Sequence, residues 1–125
     1  MSRFLAFVRG LFPRFFPLPK VRWEDGVVHT DPRYAVWYAE TVAWIREINP
    51  DAPIFAPDLT VTVRLYDRFP VAGGQGKVLA PNVIAGDVHG TLCLLKSLRE
   101  SEWLFKHEAK HCITGESGHP DWLFS

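Results

Sequence analysis

Several features that would classify this chain are scarce or missing. Cysteine occurs twice, at Cys93 and Cys112. That is too few for the disulfide framework of a small secreted domain, and two buried free thiols are expected rather than a bridge. There is no net charge, because fourteen basic residues balance fourteen acidic ones. A generally basic nucleic-acid binder is thereby excluded, and only local patches remain. No apolar run approaches the roughly 20 residues that cross a bilayer, so no transmembrane segment is expected. The opening MSRFLAFVRGLFPRFF is apolar, but Arg9 and Arg14 interrupt it and no A-x-A site follows. It is not read as a signal peptide, and an intracellular or virion-associated location is expected over secretion. Internal repeats and low-complexity tracts are absent.

What is present suits one small globular domain with an arm. The chain has 125 residues, of which 47% are hydrophobic and 22% charged, an ordinary globular balance too short for two cores. Ten prolines and nine glycines argue for many turns and against a helical bundle. The charge is unevenly placed. Residues 1–23 hold Arg3, Arg9, Arg14, Lys20 and Arg22 and no acid. Residues 1–22 are therefore read as a basic, aromatic arm and 23–125 as the folded domain. The arm is expected to pack on its own domain or on a neighbour, as in a homo-oligomer or larger assembly.

Asp31 followed by Pro32 predicts a helix start, as N-cap and first helical residue. Tyr34, Tyr38, Val42, Ile45 and Ile48 then line one face at helical spacing, flanked by Trp37 and Trp44. Asn49-Pro50 predicts the end. Alternation of Val61, Val63 and Leu65 with polar residues predicts a strand over 59–66. AGGQGK at 72–77 reads as a turn, 78–85 as a short strand, and TLCLLK at 91–96 as another. A helix is expected from Ser97 to Thr114, with Trp103, Leu104 and the stretch to Ile113 as its apolar face and Gly115 as its stop.

The chemistry lies inside that last helix. His107-Glu108-Ala109-Lys110-His111 is H-E-x-x-H, which puts two imidazoles one turn apart on one helical face. That spacing fits a single tetrahedral Zn²⁺. Glu108, beside the first ligand, is placed to take a proton from water activated by the metal and to pass it to a leaving amine. A turn at Gly115 would bring back His119 as the third ligand, with Glu116 and Asp121 as substitutes. His89, Tyr66 and Arg64 are substrate-side candidates by residue type alone.

The segment from Gly90 to Phe124, reading GTLCLLKS, LRESEWLFKHEAKHCITG and ESGHPDWLF, resembles the small zincin-like metallopeptidases seen in bacteria and phages. The resemblance implies a minimal α+β zincin-like domain, a small mixed sheet with two main helices. It implies His107, His111 and His119 as metal ligands, Glu108 as general base, and a peptide or protein substrate. It also implies that TLCLLK is the edge strand along which an extended substrate would add. The spacing departs from the metzincins, since Gly115 and His119 fall later than in that group and no methionine follows the motif. The leading expectation is a zinc-dependent peptidase or amide hydrolase. The alternative is a zinc-stabilised, catalytically weak or inactive component of an assembly such as a phage particle.

Gly86-Asp87-Val88-His89-Gly90 looks like the first motif of calcineurin-like metallophosphoesterases. None of the further motifs of that group follows, so the segment is read as a turn before an edge strand.

Overall fold

The computed structural model describes residues 19–59, 61–84 and 87–124. Most of the arm expected over 1–22 lies outside that set. The described residues are α+β, as the pattern of elements predicts: a four-stranded mixed sheet and two main helices.

The first helix, α1 (Pro32–Ile48), begins where its cap dictates. The Asp31 side chain accepts a hydrogen bond from the Arg33 backbone N–H at 2.9 Å, and Pro32 needs no partner at the first helical position. Tyr34, Tyr38, Thr41, Val42 and Ile45 form the buried stripe. Ile48, expected to extend it, is exposed in the last turn. Asn49 closes the helix by donating its N–H to Ile45.

The sheet runs β1 (Val27–Val28), β2 (Thr62–Tyr66), β4 (Asp87–Leu95), β3 (Gly76–Ile84) in spatial order. β1 and β3 are antiparallel to their neighbours, and β2 and β4 are parallel. The strand of TLCLLK is therefore interior. Leu92, Cys93 and Leu94 are fully buried, as a short continuous apolar run in a central strand should be. The expected edge position belongs instead to β3. The cause is local pairing: β3 and β4 are consecutive and form a hairpin, so β3 takes the open side of β4. The Asp87–Gly90 segment is likewise not a turn but the first half of β4. The expected strand over 59–66 begins only at Thr62, and Gly73, with φ 75°, sits in the turn that precedes β3.

The second main helix, α2 (Glu102–Thr114), starts later than expected. Lys96–Leu98 forms one 3₁₀ turn, and Ser101 is the cap, its Oγ accepting from the Leu104 N–H at 3.1 Å. Gly115 ends the helix in the left-handed region with φ 71°, the role expected of it. α2 packs against β3, β4 and α1. Phe105 stacks on Tyr34 with centroids 4.8 Å apart at the centre of this packing. A short helix, α3 (Asp121–Phe124), follows and is anchored by the buried Leu123.

Candidate metal centre

The buried face of α2 holds Leu104, Phe105, Glu108, Ala109, Cys112 and Ile113. His107 and His111 lie on the flank of that face, partly buried, one turn apart. The left-handed Gly115 reverses the chain. Thr114 Oγ1 then accepts from the Glu116 N–H, and Glu116 Oε1 accepts from the Gly118 N–H. This tight return delivers His119 to the other two imidazoles.

One nitrogen from each of His107, His111 and His119 lies within 4.8 Å of the others. Nε2 of His107 and Nε2 of His119 are 3.3 Å apart. Two nitrogens bound at about 2.1 Å to one tetrahedral ion would be about 3.4 Å apart, so this pair already has ligand spacing. His111 Nδ1 is 2.6 Å from the Glu116 carbonyl oxygen. A proton on Nδ1 donated to that carbonyl leaves Nε2 as the lone-pair nitrogen, the usual way a neighbour selects a histidine's ligating atom. Burial, and then the neighbouring His111 and His119, hold the pKa of His107 below its ordinary value. The neutral, ligating form is therefore favoured. The three histidines can hold a metal ion.

Glu116 supplies its backbone to this arrangement while its carboxylate is engaged in the turn. Among the described residues, neither Glu116 nor Asp121 joins the three-histidine cluster. His119 is thus the third member that the sequence favoured.

Glu108 is only 5% exposed. Burial pushes its carboxyl up to about 7, near the value suited to a group that takes and gives protons at neutral pH. Its approach to β3 is close. A Cβ at Gly76 would lie 2.9 Å from Glu108 Cγ and 3.1 Å from Oε2. Only a glycine lets the strand pass there without moving the acid.

These groups face a cleft of about 970 Å³ between α2 and the first residues of β3, with Gly76, Lys77, Val78, His107, Glu108 and His119 in its walls. The outer edge of β3, unpaired among the described residues, borders it. Tyr66 and Arg64 are elsewhere. Tyr66 is buried with its hydroxyl donated to the Trp23 carbonyl oxygen at 2.6 Å, and Arg64 donates to the Gly26 carbonyl oxygen at 2.9 Å. The backbone of His89 pairs with Asn82 in the hairpin; its side chain lies outside the described set.

Comparison with family models, with curated proteins and with solved structures finds no match to this chain. The zincin likeness therefore rests on the motif, and the metal site on the three imidazoles.

Two aromatic neighbours of the centre were not anticipated. Trp103, expected on the apolar face of α2, is 71% exposed and stacks on His107 with centroids 5.1 Å apart. Its spacing of four residues from His107 was the available signal. Phe124 has its ring 4.9 Å from His107, 4.6 Å from His111 and 4.8 Å from His119. No sequence signal marks it, because it reaches the centre only through the return at Gly115.

Proposed function

We propose that this chain is a zinc-dependent metallopeptidase or amide hydrolase of the small zincin-like kind, with His107, His111 and His119 as ligands and Glu108 as general base. The observation that carries the reading is the third imidazole. An H-E-x-x-H helix alone offers two nitrogens, and the return at Gly115 adds His119 at ligand spacing. An all-imidazole donor set suits zinc. Bound zinc would supply Lewis acidity and lower the pKa of water at its open position to about 7.

The chain's own groups do the rest. Glu108 takes a proton from the attacking water and gives it to the departing amine. The edge of β3 that is unpaired among the described residues offers backbone N–H and C=O groups to an extended peptide, which would lie across the cleft beside Glu108. Strand addition is thus assigned to β3 and not to the interior TLCLLK strand.

Elemental analysis of untagged protein tests the metal. About one zinc per chain is expected for the wild type, and none for His107→Ala. Glu108→Gln should keep its zinc and its fold and lose about 100- to 10,000-fold in peptide turnover. Zinc missing from both proteins after dialysis against zinc would sink the reading.

One observation favours a second reading, a zinc-stabilised component of an assembly. Val27 and Val28 make up all of β1 at the other sheet edge and are 70% and 53% exposed, an apolar edge that pairs with no further strand among the described residues. An assembly component would tolerate Glu108→Gln and would lose mass in light scattering when residues 1–20 are removed.

A further inference from the structure

A second cavity adjoins the imidazoles. It has a volume of about 550 Å³ and shares Trp103 and His107 with the cleft. Its other walls come from α1 rather than β3: Glu40, Thr41 and Trp44, with Lys106 and Lys110 from α2 and Phe124 from α3. Three aromatic rings make the pocket apolar, and two ammonium groups and the Glu40 carboxylate carry the charge of its wall.

The two lysines are not equivalent. Lys106 Nζ is 2.8 Å from a Glu40 carboxylate oxygen and 3.1 Å from one of Glu102, so its charge is compensated. Lys110 Nζ has no carboxylate within 4.0 Å among the described residues. It lies instead 4.4 Å over the Trp44 ring and 5.5 Å over the Phe124 ring. Ring faces attract a cation, but they do not cancel its charge. Lys106 and Lys110 are also one turn apart on α2, a spacing at which like charges repel. Among the described residues, the Lys110 ammonium thus lies on rings and open to the pocket with no carboxylate paired to it.

We propose that this pocket is a binding subsite for an apolar group that ends in a carboxylate, with Lys110 pairing the carboxylate and Trp44 and Trp103 contacting the apolar part. A neutral polar end would leave the ammonium uncompensated, and a cationic end would be repelled. A charge-assisted bond from Lys110 would add the specificity that ring contacts alone lack. If the chain is the hydrolase proposed above, on which this last step rests, the subsite selects substrates carrying such a group on one side of the bond that is cut.

The test uses the full chain stripped of metal by a chelator at pH 8, so that no metal competes for the carboxylate. The probes are 3-phenylpropionate and its neutral amide, 3-phenylpropanamide. Binding is read by calorimetry, and the site by the indole N–H resonances of Trp44 and Trp103. The acid should bind at least about tenfold more tightly than the amide and shift both resonances. Lys110→Met should abolish that preference, Lys110→Arg should retain it, and Lys106→Met should leave it in place. Circular dichroism checks that each variant is folded. Equal binding of acid and amide, no binding of either, or an unchanged preference in folded Lys110→Met would overturn the subsite. Hydrolysis plays no part in this measurement, so its failure is separate from failure of Glu108→Gln to lose turnover.

Discussion

At the scale of single residues, the relation between Gly76 and Glu108 is the most exacting contact of the site. A methyl group at position 76 would meet Glu108 Cγ at 2.9 Å, closer than two carbons can lie. The acid is flexible and the strand is not, so the acid moves. If Glu108 is the base proposed above, Gly76→Ala should lower peptide turnover by up to about 100-fold, the cost of misplacing a reacting group by an ångström or less. Zinc content should stay at the wild-type value, because the imidazoles are untouched. A parallel loss of zinc would mean that the whole helix had shifted. His107, Glu108 and His111 were legible as a trio because their relation is set within one helical turn. Gly76 was not, since its meaning depends on which strand passes over Glu108. Trp103 was misread for a related reason: an aromatic in a helical pattern suggests the core, yet this one faces the imidazoles.

At the scale of elements, legibility followed the caps. α1 was readable at both ends because Asp31, Pro32 and Asn49 each leave the chain few alternatives. The start of α2 was less so, since Ser97 suits an N-terminus as well as Ser101, the cap the structure uses. Only the 3₁₀ turn at Lys96–Leu98 decides in favour of Ser101. The α1 cap makes a pH prediction. The Arg33 side chain, and then its backbone N–H, bond the Asp31 carboxylate and hold its pKa at about 2, below the ordinary 3.8. A folded pKa below the unfolded one gives a contribution that is present above 3.8 and lost as pH falls through about 2. The melting temperature of the wild type should therefore fall more steeply between pH 4 and pH 2 than that of Asp31→Asn. Equal slopes in metal-free protein would show that the cap bond does not form in solution.

At the scale of the whole molecule, strand order was the least legible feature. Apolar alternation identifies strands, but it does not say which neighbour each one takes. The run TLCLL carried the message that it is buried on both faces, and that message outweighs a family likeness that would set it at an edge. The three histidines also tie two parts of the molecule together, α2 and the return that carries α3. Zinc that binds only the folded chain stabilises it by about 2.7 kcal/mol at 100 times its dissociation constant. For a domain of this size, that raises the melting temperature by on the order of 10 °C. Scanning calorimetry of zinc-loaded and chelator-treated protein should show that difference, and His119→Ala should reduce it. An unchanged midpoint would mean that the imidazoles do not act together.

Trp103 lies against His107 with most of its surface in water. An indole in contact with an imidazole loses part of its emission to that neighbour, most strongly when the ring is protonated. His107 is held in its neutral form, so seating an ion on it places positive charge beside the indole and alters the quenching. The molecule thus carries its own optical gauge of occupancy. The difference in fluorescence between wild type and Trp103→Phe should dim as zinc is added, while the other four tryptophans cancel as background.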